Sequence, residues 1–241
     1  MKTGKLSVIG VGPGDPELLT IKGMRILNAV SCICVPKGRE EGSSLALSII
    51  EKAVPLKEKE IIEAHFPMRK TRSAQESTLG ELDAKWNETV KAVSERLKGG
   101  TNVAFITIGD PTIYSTFFYL YERLLDALPD LDIEIIPGVS SINASAARAK
   151  VSLGLADEKI AVLPATYIGN LKEILEKFDT VVLMKVHKVL KNVVAVLHEM
   201  GLTSRAIYIS RAGMPDEEII RDISALKEGE MSYFSLVIIR K

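Results

Sequence analysis

The sequence predicts an α/β protein of two domains, and three observations carry that prediction. Apolar runs of strand length alternate with stretches of helical period along all 241 residues. About five candidate strands precede Pro137 and about five follow it. The clearest strand, Val103 to Ile108, ends abruptly in Gly109-Asp110-Pro111, and open α/β sheets place their ligands at such strand ends. The expected domains are residues 1–136 and 137–241, with the boundary lying somewhere between 115 and 156.

Taken in order, the first strand is Leu6 to Val11, followed by Gly12-Pro13-Gly14-Asp15-Pro16. Thr20 caps a helix over Ile21 to Ala29, and a second strand, Ser31 to Val35, stops at Pro36. This βαβ opening invites comparison with a dinucleotide site, but the register fails. Gly10 and Gly12 fit G-x-G-x-x-G, whereas Asp15 stands where the third glycine belongs. Asp15 repels a pyrophosphate and Pro13 lacks an amide donor, so a phosphate cradle is a poor reading.

Ser43 or Ser44 starts a helix through Ile50, and Ile61 to Phe66 reads as a strand ending at Pro67. A long polar helix from Thr71 to Lys98 carries Leu79, Leu82, Trp86, Val90, Val93 and Leu97 along one side, and Gly99-Gly100 stops it. After the Gly109-Asp110-Pro111 turn a helix is expected from Ile113 to about Leu128. In that turn Gly109 lets backbone approach a ligand, and Pro111 pushes Asp110 out of the α region.

The strand Ile133 to Ile136 leads into Pro137-Gly138-Val139-Ser140-Ser141, where either serine can cap the alanine-rich helix that follows. Further strands are Ile160 to Leu163, Thr180 to Met184 and Ala206 to Ser210, with helices near Leu171 to Phe178 and Val189 to Met200. The chain closes on an expected hairpin, Glu218 to Asp222 with Ser232 to Ile239, around Lys227-Glu228-Gly229-Glu230.

Composition narrows the function classes. Lysine plus arginine equals aspartate plus glutamate at 31 each, so the overall basic excess of a nucleic-acid binder is missing. No signal-peptide pattern and no bilayer-spanning apolar run is present, so a cytoplasmic protein without membrane partners is expected. Cys32 and Cys34 are too closely spaced for a disulfide, and no Cys or His cluster completes a metal site; they read as buried thiols. Of the three histidines, His187 follows Met184-Lys185, and His65 and His198 have weaker functional cases.

Four blocks together carry a resemblance. G-V-G-P-G-D at Gly10 to Asp15, I-G-D-P-T-I-Y-S-T at Ile108 to Thr116, P-G-V-S-S at Pro137 to Ser141 and V-V-L-M-K at Val181 to Lys185 resemble the tetrapyrrole methylase family. The blocks occur in family order across essentially the whole chain. The G-D-P-T-I-Y-S-T form and the region around His65-Phe66-Pro67-Met68 most resemble its C20-methyltransferases. Those enzymes act on precorrin-2 or its cobalt-bearing counterpart, cobalt-factor II, in cobalamin biosynthesis.

The resemblance implies two unequal α/β domains with S-adenosylmethionine (SAM) in the cleft between them, in a homodimer. It implies that Gly109, Asp110, Ile113, Ser140, Ser141, Met184, Ala212 and Met214 bind the cofactor. It places Gly12, Pro13, Gly14 and Asp15 toward the tetrapyrrole, with Asp15 and Tyr114 as catalytic candidates. Asp15 is a candidate base for the C20 proton, and Tyr114 would orient the substrate. The macrocycle's acetate and propionate groups call for cations, and Lys37, Arg39, Arg69, Lys70 and Arg72 are the candidates. A metal enters only inside the substrate.

Two other readings use the same residues. A diphthine synthase or a ribosomal-RNA 2′-O-methyltransferase would keep the SAM site and change the acceptor. A non-catalytic SAM or nucleotide sensor would bind without a macrocycle-sized opening.

Overall fold

The computed structural model describes residues 2–38, 44–65, 76–167, 169–226 and 231–241, with backbone alone for residues 76–82 and 167. The chain divides into two compact units, Met1–Ser140 and Ser141–Lys241.

The first unit is built on one five-stranded sheet. Its strands are β1 (Leu6–Gly10), β2 (Cys32–Lys37), β3 (Glu60–His65), β4 (Val103–Thr107) and β5 (Ile133–Ile136), in the order β3-β2-β4-β1-β5. Every pairing is parallel. β1 and β4 are buried along their whole length, as parallel strands covered on both faces must be. The period of two divides their side chains between two cores. Leu6, Val8, Val103 and Phe105 pack with Trp86, Val90, Val93 and Leu97 of α3 (Glu76–Lys98) and Leu120 and Leu124 of α4 (Phe118–Ala127). Ile9, Ala104 and Ile106 pack on the other face with Leu27 of α1 (Ile21–Ala29) and Ile49 and Ile50 of α2 (Leu45–Ile50). β1 leads away toward β2, whereas β4 leads past β1 to β5. Their adjacent carboxyl ends therefore form the topological switch point of this sheet.

The second unit carries β6 (Ile160–Pro164), β7 (Thr180–Met184), β8 (Ala206–Ser210), β9 (Glu218–Ile220) and β10 (Ser235–Arg240), in the order β6-β7-β10-β8-β9. β6 and β7 are parallel; β10 runs antiparallel to both β7 and β8. One face packs α6 (Leu171–Lys177) and α7 (Leu190–Glu199) through Leu175, Val193 and Leu197. The other face packs α5 (Ser141–Ala149), where Ile142, Ala146 and Ala149 meet Val182, Ile209 and Ile238.

Three expectations are corrected here. β9 pairs with β8 and not with β10, so the expected closing hairpin is absent. The reason is burial: β10 is buried over five of its six residues and takes a central place, while three-residue β9 takes the edge. Strand β2 continues through Pro36 to Lys37. Its pairing with β4 ends at Cys34, so beyond that point one side of the strand has no ladder for a missing N–H to break. Helix α4 starts at Phe118 instead of Ile113, because Tyr114 sits at φ 54° in the left-handed region, where no α-helix continues.

Both cysteines are buried free thiols. Burial pushes the Cys32 thiol up to about 11 and raises Cys34 as well. Among the described residues no helix is long and apolar enough to cross a membrane.

Candidate functional site

In the first unit the loops following β1, β4 and β5 lie side by side, because β1 is hydrogen-bonded to both of the other strands. They are joined through glycine backbone. Gly109 N donates to Gly12 O at 2.8 Å, Gly12 N returns to Gly109 O at 3.4 Å, and Val11 N donates to Thr107 O at 2.9 Å. Gly12 and Gly109 hold φ 79° and 70°, a conformation that suits glycine. A Cβ on Gly10 would lie 2.5 Å from the Gly109 carbonyl oxygen, and one on Gly138 would lie 2.3 Å from the same atom. The three loops thus meet where only hydrogen atoms fit.

Asp110 fastens this junction. Its Oδ1 accepts from Thr112 N at 2.8 Å and from the Thr112 hydroxyl, while Oδ2 accepts from Gly138 N at 2.9 Å. The sequence motif therefore encodes a brace as well as a surface. Beyond it, Ile113 and Tyr114 are exposed, Tyr114 at 48%, on a backbone held left-handed. Ser115 Oγ accepts from Phe117 N at 3.2 Å and donates to Thr107 Oγ1 at 3.3 Å, tying the exposed segment back to β4. A non-glycine residue at positive φ costs about 1–3 kcal/mol and persists only where its surroundings impose it.

The first glycine loop is more enclosed. Gly12, Pro13 and Gly14 are buried and Asp15 is half-buried. Asp15 Oδ1 accepts from Glu17 N at 2.9 Å, capping a short 3-10 turn over Pro16–Leu18. At the end of β2, Lys37 is only 12% exposed and its Nζ donates to Glu63 Oε2 at 2.9 Å, so its charge already has a partner. Arg39, Arg69, Lys70 and Arg72 lie outside the described residues. Ser140 is buried just ahead of α5, and Ser141 is the first residue of that helix.

In the second unit the parallel strands β7 and β8 end against the start of β10. Met184 closes β7 and is half-buried. Lys185 follows at φ 58° and its amide donates to Ser235 O at 3.0 Å. After β8, Arg211 sits at φ 52° and its amide donates to Phe234 O at 2.7 Å. Ala212 and Met214, each 7% exposed, lie on the loop that this turn begins. Arg211 pairs with Asp216, and that guanidinium holds the Asp216 carboxyl below the usual carboxylate range. His187 stands edge-on to Tyr233, with ring centroids 5.3 Å apart. Burial, and then the nearby Lys188 charge, hold its imidazole below the ordinary histidine value.

Sequence reasoning named Met184, Ala212 and Met214 but missed what shapes their loops. Lys185 and Arg211 carry no local signal for a left-handed backbone, since neither is glycine or asparagine. Glu217, whose carboxylate accepts from Gly213 N at 2.7 Å, was missed as well. A carboxylate four residues beyond a glycine is too common a spacing to stand out.

Comparison with known proteins agrees with this architecture. The family described as Tetrapyrrole (Corrin/Porphyrin) Methylases matches residues 5–226. The chain is 35% identical to a cobalt-precorrin-2 C(20)-methyltransferase of Salmonella typhimurium, over 99% of this chain and 97% of that one. It is 34% identical to a probable cobalt-precorrin-2 C(20)-methyltransferase of Methanocaldococcus jannaschii, over 98% and 96%. Among solved structures it resembles a cobalt precorrin-4 methyltransferase with a TM-score of 0.71 at 22% identity, covering 98% of this chain and 94% of that chain.

Proposed function

The chain belongs to the tetrapyrrole (corrin/porphyrin) methylase family, and we propose that it transfers a methyl group from SAM to C20 of precorrin-2 or cobalt-factor II. The observation that carries this reading is the 35% identity spanning 99% of the chain. The two relatives at 35% and 34% identity are both named for cobalt-precorrin-2, which favours the cobalt-bearing acceptor.

The residues fit SAM better than a nucleotide phosphate. The loops after β1 and β4 carry two carboxylates, Asp15 and Asp110, and Pro13 offers no amide, so an anionic phosphate finds little to hold it there. A ligand whose sulfonium and ammonium groups are cationic suits those loops. The proposal gives the cofactor Gly109, Asp110, Ile113 and Ser140 of the first unit, and Ser141, Met184, Ala212 and Met214 of the second. Gly12, Pro13, Gly14, Asp15 and Lys37 are assigned to the tetrapyrrole, together with Arg39, Arg69 and Arg72.

Bound SAM supplies a methyl already activated on sulfur, so no side chain has to act as a nucleophile. What remains for the protein is alignment, which can supply a large part of the acceleration. Asp110 serves it by holding the β4 and β5 loops in one arrangement. Tyr114 offers a half-exposed phenol on a fixed backbone, suited to orienting the macrocycle. Restoring conjugation after transfer requires loss of the C20 proton. Asp15 is assigned as its acceptor through Oδ2, since Oδ1 is occupied by the Glu17 amide.

A cytoplasmic homodimer completes the proposal, and the family resemblance supports it. The test is transfer of a carbon-13 methyl from SAM, with the position of the new methyl assigned by carbon NMR. Label at C20 supports the reading, and label at any other ring position rejects it.

A further inference from the structure

We infer that Glu217 is a positioning residue for the cofactor, setting the shape of the loop that carries Ala212 and Met214. The inference rests on the assignment of those two residues to SAM.

The loop after β8 reverses direction sharply, with Arg211 at φ 52° and Gly213 at φ 77°. Gly213 adopts its φ without strain, but Arg211 is not held left-handed by its own preference, so neighbouring groups must impose it. One anchor is β10, through the Arg211 amide and Phe234 O at 2.7 Å. A second is internal, from Met214 N to Arg211 O at 2.9 Å and from Glu217 N to Met214 O at 3.1 Å. The third is the Glu217 side chain, which is 10% exposed. Its Oε2 accepts from Gly213 N at 2.7 Å, so the carboxylate reaches back to the tip of its own loop.

The same carboxylate faces outward to α5. Arg148 Nε donates to Oε1 at 2.7 Å and to Oε2 at 3.0 Å. Arg148 lies in the last turn of the helix that begins at Ser141. Arg221 adds a parallel tie, donating from its guanidinium to Ala149 O at 2.8 Å. Glu217 thereby links two elements assigned to the cofactor, the 211–217 loop and α5. Both contacts are charge-assisted. Its oxygens hold Gly213 and Arg148, so the role proposed for it is to act through the loop.

The test compares the full-length protein with Glu217→Ala and Glu217→Gln, using SAM titration by calorimetry and steady-state methyl transfer. In Glu217→Ala, the Kd and KM for SAM are expected to rise on the order of tenfold. The tetrapyrrole KM, and kcat at saturating SAM, should stay near wild type. Glutamine keeps an acceptor for the Gly213 amide, so Glu217→Gln should recover most of the lost affinity. Unchanged SAM affinity in Glu217→Ala, or a fall in kcat with SAM KM unmoved, overturns the inference. If the alanine variant does not fold, Glu217→Gln and Arg148→Ala decide: a SAM KM raised in Arg148→Ala and close to wild type in Glu217→Gln supports the inference, and any other result overturns it. Wild-type protein that fails to bind SAM rejects the cofactor assignment itself, and the inference falls with it. Wild-type binding with an unaffected alanine variant rejects only the role of Glu217.

Discussion

Asp110 accepts the Gly138 amide on Oδ2 at 2.9 Å, across 28 residues of sequence, and so joins the loops of two strands that do not touch each other. Replacing it by alanine strands a half-buried N–H and releases the turn at Thr112. Asp110→Ala is expected to cost about 1–3 kcal/mol of stability. Asp110→Asn, which keeps an acceptor oxygen, should lose less. Urea unfolding of the three proteins checks the order, and equal stability of wild type and Asp110→Ala would contradict the brace.

Gly138 tests the packing of the same junction from the other side. A methyl there lands 2.3 Å from the Gly109 carbonyl oxygen and 2.7 Å from Gly10 backbone atoms, none of which is a flexible side-chain end. Gly138→Ala should therefore destabilise by about 1–3 kcal/mol through forced backbone movement. It should also weaken SAM binding. A Tm within a degree of wild type would show that the loops yield more easily than their contacts indicate.

Tyr114 separates orientation from cofactor binding. Its side chain is exposed on a left-handed backbone. Tyr114→Phe is expected to lower kcat about tenfold or more, in the range for a lost positioned hydrogen bond, with SAM Kd unchanged. Parallel loss of SAM affinity would remove Tyr114 from the substrate side.

Glu134 should contribute to acid sensitivity. Lys22, and then Lys5, hold its carboxyl down to about 2, below the ordinary 4.5. A carboxylate depressed in the folded state favours folding above its unfolded value, and that contribution is lost as pH falls from about 4.5 toward 2. Denaturation midpoints measured from pH 6 to pH 2 should fall less steeply in Glu134→Gln than in wild type. Identical slopes would mean that the pair with Lys22 is too well screened to matter.

Part of this architecture is legible in the sequence, because several of the central strands are short, mostly apolar runs. Val103 to Ile108, closed by Gly109-Asp110-Pro111, is one instance, and Thr180 to Met184 is another. Less legible is anything set by long-range pairing. The partner of β10 depends on which strands need burial on both sides, and no local pattern encodes that choice. The Gly109-Asp110-Pro111 turn was visible as a special site, yet its partner Gly138 lies one strand further on. Gly109 reads as an approach for a ligand; in the fold the missing side chains of Gly10, Gly109 and Gly138 first serve the contact of loop with loop. Lys185 and Arg211 were unreadable, because their left-handed backbones are imposed by β10.

The most direct test of the account is a methyl-transfer assay with labelled SAM, run side by side on freshly prepared precorrin-2 and cobalt-factor II. The account predicts a single methyl added at C20, with the cobalt-bearing acceptor preferred. SAM binding with no transfer to either acceptor would contradict it and direct the search to a different methyl acceptor.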